Sequence, residues 1–217
     1  MLEEPPQAPP VRPLHDVWLK PRRVFRELAA KPVGTVDYLL GAAQGTVSWL
    51  ALSRAQSAGS TSSVEEILGK ALGFGSILGV ASLFLMAAIY ARLGKRTGAP
   101  STRTPVFHVL AYGGIPMVAS LGIWLVTALL AGEATFVETP RPDTEGFIVL
   151  LLRVQFFAHA LLLVWSLVLQ VMGFSEVQGL PTRRAFGIWL LGQVLAALAM
   201  LVLAVVISSL IPLAAPT

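Results

Sequence analysis

The 217 residues are 55% hydrophobic and only 13% charged, with a formal net charge of +4 and a mean hydropathy of +0.72. A soluble domain carries about 25% charged residues, so this chain lacks the polar surface that a water-soluble globule needs and reads as an integral membrane protein. It has no cysteine, which excludes disulfides, thiol chemistry and any cysteine-based metal site.

Residues 1–14, MLEEPPQAPPVRPL, are acidic at the start and rich in proline. Such a stretch reads as a disordered, partly extended tail and is unlike a cleaved signal. Residues 15–35 read as a cytoplasmic amphipathic segment. In HDVWLKPRRVFRELAAKP, Pro21 suits the first position of a helix and Pro32 would end one. Val24, Phe25 and Leu28 fall on one side, while Lys20, Arg22, Arg23 and Arg26 point elsewhere. The expectation is a short helix lying on the cytoplasmic leaflet, with Trp18 at the interface. Each basic side chain near an anionic surface contributes about 1 kcal/mol.

Residues 36–213 read as a bundle of five transmembrane helices, an all-α membrane fold. The apolar runs are 36–52, 69–93, 106–131, 146–173 and 185–211. All but the first, which is slightly shorter, reach the 18 or more residues that cross a hydrocarbon core of roughly 30 Å. Their continuity excludes the alternating strands of a β-barrel. In run one, Gly41 and Gly45 are four apart, and Gly69 with Gly73 and Gly75 with Gly79 repeat the spacing in run two. Small residues so placed let helix backbones approach closely in lipid. Before run two, Ser62–Glu65 and Ser63–Glu66 have capping-box spacing, so its helix is expected to begin near Ser63, with Lys70 snorkelling outward and Gly94 at its stop. Gly113, Gly114 and Pro116 predict a kink or unwinding in run three.

Run four holds the most polar side chains. Gln155, His159, Ser166 and Gln170 fall within roughly 60° of arc at helical pitch, with Arg153 nearly opposite, near the outer headgroups. Asp37, Gln44 and Ser48 form a similar stripe in run one. Polar groups at membrane depth face protein or a wet cavity, so both stripes are expected to face the bundle interior. They serve either as interhelical hydrogen bonds or as a polar path with His159 as its titratable member.

Charge sets the orientation. Lys20, Arg22, Arg23, Arg26 and Lys31 precede run one, Arg92, Lys95, Arg96 and Arg103 connect runs two and three, and Arg183 and Arg184 open run five. The opposite side has only Arg54, Lys70 and Arg141, against Glu133, Glu138, Asp143 and Glu145. The positive-inside rule then places the N-terminus in the cytoplasm and the C-terminus outside. Arg183 and Arg184 oppose the dipole at the start of their helix, and their expected gain is anchoring to anionic headgroups. Twelve arginines against four lysines, with abundant Ala, Leu, Gly and Val, suggest a GC-rich bacterial source and hence an inner membrane.

Catalytic signatures are missing. There is no HExxH, no GxxxxGK[ST], no GxSxG and no paired carboxylates at membrane depth, and His15, His108 and His159 share no metal-ligand spacing. No cofactor and no nucleic acid is expected. The segment LKPRRVFRELAAKP, the YGGIP of run three and the junction WSLVLQVMGFSEVQGLPTRRAFG together resemble the Ypt-interacting-protein (YIP) domain family, especially its bacterial members. The likeness spans about residues 15–211. It implies a cytoplasmic N-terminus and five helices, and eukaryotic relatives are linked to Rab-type GTPases, vesicle traffic and membrane shaping. Their acidic-Leu-Tyr-Gly-Pro element has a loose counterpart in DVWLKP, Asp16 to Pro21. The resulting expectation is a non-catalytic membrane protein that organises lipid, or recruits protein partners or further copies of itself, at its basic cytoplasmic face. A small transporter or channel along the stripe of run four is the alternative.

Overall fold

A computed structural model describes residues 11–99, 102–139 and 146–210. Most of the proline-rich tail, Arg141, Asp143 and Glu145 lie outside the described residues. All regular structure among the described residues is helical: α1 (Pro13–Asp16), α2 (Pro21–Leu28), α3 (Thr35–Ala55), α4 (Val64–Lys70), α5 (Ser76–Arg96), α6 (Arg103–Gly113), α7 (Ile115–Ala131), α8 (Gly146–Gln178) and α9 (Thr182–Leu210). A π-turn, Ala71–Gly75, joins α4 to α5, and 3₁₀ turns follow α3 and α7. Among the described residues, three segments are long and apolar enough to cross a membrane: Val64–Arg96, Arg103–Phe136 and Gly146–Gln178. Large apolar side chains such as Leu129, Phe157 and Leu161 stand exposed on their outer faces, as lipid-facing surfaces do and water-facing surfaces rarely do in such density.

Local chemistry explains the helix ends. Ser63 is the N-cap of α4 and accepts from the Glu66 amide at 3.3 Å, as the serine–glutamate spacing predicts. Lys70 is exposed but leans back to Glu66 at 2.6 Å rather than standing alone. The expected stop at Gly94 is displaced. Gly94 is buried inside α5, and the chain turns at Gly98, whose φ of +82° only glycine adopts freely. The Ala99 amide bonds back to the Gly94 carbonyl at 3.1 Å, closing a C-terminal cap. Run three breaks as Gly113, Gly114 and Pro116 predict: α6 ends at Gly113 and α7 begins at Ile115.

Two of the three glycine pairs make the packing. A Cβ on Gly45 would lie 2.5 Å from Gly79 Cα, and one on Gly79 would lie 2.6 Å from Gly45 Cα. Here α3 and α5 touch backbone to backbone. The pair Gly69 and Gly73 does not join in, since neither has a neighbour within 4 Å of that position. Run two turns through a π-bulge there, so a four-residue spacing no longer keeps one face.

One apolar cluster gathers Phe25, Tyr90, Phe107, Leu169 and Phe174 where α2, α5, α6 and α8 meet. A second gathers Val47, Leu50, Ile67, Trp124 and Phe136 toward the other end. Helix α2 belongs to the first cluster. Val24 and Phe25 are fully buried, and the Phe25 ring lies against Gly173 of α8. The apolar face expected to lie in the leaflet is therefore covered by protein, and Trp18 packs against the same core. Within the stretch expected to be an extended tail, Val11 packs on the core and the helix Pro13–Asp16 begins.

Candidate functional site

Two groups of polar side chains stand out, one at the end of the bundle where α2, α8 and α9 meet and one inside it. At the first, α2 presents its basic side outward. Arg26 Nε donates to Glu176 Oε1 at 2.8 Å, and Arg22 reaches Glu176 Oε2 at 3.7 Å and Thr182 Oγ1 at 3.1 Å. Arg23 pairs with Glu27 at 3.2 Å within α2. Glu176 lies near the C-terminus of α8, and it ties two of the expected headgroup cations to the protein. Lys20, Arg183 and Arg184 remain exposed, the two arginines in the first turn of α9. The six cations named in the sequence thus divide into those held by acids and those open at the surface.

The interior group is built around the break between α6 and α7. The Gly114 amide does not continue the α-helical pattern, and Pro116 has no amide to offer. Backbone groups freed at membrane depth need partners. Gln44 Nε2 donates to the Ala111 carbonyl at 2.9 Å and reaches the Leu110 carbonyl at 3.4 Å. The Met117 amide donates to Ser166 Oγ at 3.1 Å. Gln170 packs on Gly113 and accepts from Trp189 Nε1 of α9 at 2.9 Å. His159 Nδ1 lies 3.1 Å from Ser120 Oγ, whose hydrogen goes to the Met117 carbonyl at 2.6 Å, so the imidazole donates there. Gln155 Oε1 accepts from Arg54 at 3.1 Å, leaving its buried Nε2 without a partner. The polar residues of α8 therefore reach three other helices: Gln155 meets α3, His159 and Ser166 meet α7, and Gln170 meets α9. Ser48 departs from its stripe: it is exposed, and its hydroxyl bonds the Gln44 carbonyl of its own helix at 2.9 Å. Arg153 is exposed and lines a cleft of about 500 Å³ with Arg54, Glu138 and Phe157.

Asp37 has a partner that sequence reasoning missed. His108 Nδ1 lies 2.6 Å from Asp37 Oδ1, with both residues 2% exposed. His108 Nε2 faces the Lys31 carbonyl at 3.1 Å, so that nitrogen donates, and the second proton is shared between imidazole and carboxylate. Asp37 Oδ2 accepts from the Gly34 amide at 2.9 Å. The pair is net neutral as a unit, which makes its burial tolerable. It joins α3, α6 and the connection after α2. The available signal was Asp37 itself, since a carboxylate in an apolar run needs a partner. Among the described residues no group of three or more His, Asp or Glu is placed to hold a metal.

The model of one family, the Yip1 domain, matches residues 16–209 of this all-helical, apolar chain. The chain belongs to the Yip1 domain family. Comparison with curated proteins gives no match, and neither does comparison with solved structures. In this Yip1 domain the matched span takes in α2, the buried His108–Asp37 pair and every polar contact of α8 just described.

Proposed function

We propose that this Yip1-domain protein is a non-catalytic membrane protein whose five long helical units, α3, α4–α5, α6–α7, α8 and α9, all cross the bilayer. Its basic end gathers anionic lipid on the cytoplasmic side of a bacterial inner membrane. The observation that carries this reading is the docking of α2. Its apolar face is consumed by the bundle, so Arg22, Arg23 and Arg26 are held at a fixed place beside the exposed Lys20, Arg183 and Arg184. A preorganised array of cations at headgroup depth loses little entropy when it takes up phosphates. The polar stripe of α8 acts in this reading as interhelical glue, because its side chains are spent on other helices and on the broken backbone of α6–α7.

The test is affinity purification of the full chain in mild detergent from mixed membranes, with copurified phospholipids and proteins quantified by mass spectrometry. Wild type is expected to enrich anionic over zwitterionic lipid, and Lys20→Glu/Arg183→Glu/Arg184→Glu to lower that enrichment. Equal lipid composition in both preparations would overturn the reading. A protein captured by wild type and lost from the variant would replace lipid with a protein partner.

A further inference from the structure

A second cluster of cations sits at the α5–α6 connection. The last turns of α5 and the first turn of α6 enclose a cleft of about 270 Å³ lined by Ala88, Ala91, Arg92, Lys95, Thr102 and Arg103. Arg92 and Lys95 are three apart, so both project from one side of α5. Arg103 enters from the other helix. All three are exposed, and none has an ion-pair partner among the described residues. No nearby acid exists in sequence, because the chain carries no Asp or Glu between Glu66 and Glu133. Glu176 and Glu27, on α8 and α2, are already engaged with Arg22, Arg26 and Arg23.

Three like charges around one cleft repel one another, and Arg103 also sits where the dipole of α6 disfavours a cation. Both costs vanish when an anion enters. Topological anchoring alone would be served by cations pointing apart into solvent; it gives no reason for them to converge from two helices. The Schellman-type turn at Gly98 ends α5 just beyond Lys95, with the Gly98 amide on the Lys95 carbonyl and the Ala99 amide on the Gly94 carbonyl, both at 3.1 Å.

We infer that this α5–α6 cleft is a binding site for a phosphate-type anion, whether a phospholipid headgroup or free phosphate. It uses none of the residues in the reading above and stands or falls separately.

The test uses the purified full chain in an uncharged detergent, with Lys20→Glu/Arg183→Glu/Arg184→Glu as the common background so that the basic end formed by α2 and α9 adds no lipid binding. Native mass spectrometry measures binding of phosphatidic acid against phosphatidylcholine of equal chain length, with inorganic phosphate as competitor. Arg92→Gln/Lys95→Gln/Arg103→Gln is expected to weaken phosphatidic acid binding at least tenfold. The charge-preserving Arg92→Lys/Lys95→Arg/Arg103→Lys retains it within about threefold, and Lys70→Gln/Arg153→Gln, at the other end, retains it fully. Displacement by millimolar phosphate identifies a free anion as sufficient, and lack of displacement identifies the headgroup in its lipid. Undiminished binding by the triple glutamine variant overturns the inference, as does equal loss in the Lys70→Gln/Arg153→Gln control.

Discussion

The crossing of α3 and α5 makes a quantitative claim about glycine. In Gly45→Ala the new methyl would lie 2.5 Å from Gly79 Cα and would also meet the Gly75 carbonyl oxygen. Carbon atoms in contact sit about 3.5–4.0 Å apart, so the helices must separate by about 1 Å. The obstructing atoms are backbone, and no rotamer change relieves them. Overpacking of this kind costs about 1–3 kcal/mol, with the upper end expected here, and the better helix propensity of alanine returns about 1 kcal/mol. A net loss of about 2 kcal/mol follows. Gly69→Ala is the internal control: it has open space around it, so it keeps the propensity gain of about 1 kcal/mol. The two variants should differ by about 3 kcal/mol, on the order of a hundredfold in the unfolding constant. Reversible unfolding in mixed detergent micelles measures this. Equal stability of the two variants would refute the backbone-to-backbone contact.

Breaking the buried pair with Asp37→Ala or His108→Leu alone should cost about 3–5 kcal/mol, since either leaves an uncompensated buried polar group. Asp37→Leu/His108→Leu should recover most of that, and additive losses in the double variant would deny the coupling. Ser166→Ala should cost about 1–3 kcal/mol by orphaning the Met117 amide, and hydrogen exchange at Met117 should speed up while amides early in α8 stay unchanged. Because the chain has no cysteine of its own, Lys20→Cys and Thr217→Cys can be labelled singly in intact cells. The two positions should react from opposite compartments, and labelling of both from one side would rule out an odd number of crossings.

Much of the fold was legible because lipid imposes simple rules on sequence. Long apolar runs, the Ser63 cap and the glycine–proline break are local signals, and the structure places α3, α4–α5, α6–α7, α8 and α9 over the five expected runs. What was hidden depends on distant partners. The amphipathic pattern of α2 reads the same whether its apolar side meets lipid or protein; only Gly173, far along the chain, leaves room for Phe25. Likewise His108 carries no spacing that points to Asp37, and the Gly69–Gly73 spacing was annulled by a π-turn that composition does not announce.

Helix α8 explains why the interior and the basic end belong to one design. Between apolar helices in lipid the hydrophobic effect gives no attraction, so polar contacts and close packing must fix rotation and depth. Gln155, His159, Ser166 and Gln170 reach α3, α7, the α6–α7 break and α9 in turn, and with contacts in several directions α8 cannot rotate without breaking some of them. At 33 residues it is roughly 50 Å long, well beyond the hydrocarbon thickness. Its surplus length carries Gly173 and Glu176 to the basic end, where they seat Phe25 and hold Arg22 and Arg26. A change such as Ser166→Ala in the interior should therefore loosen α2 at the surface, whereas Arg183→Gln, which touches neither, should leave α2 in place.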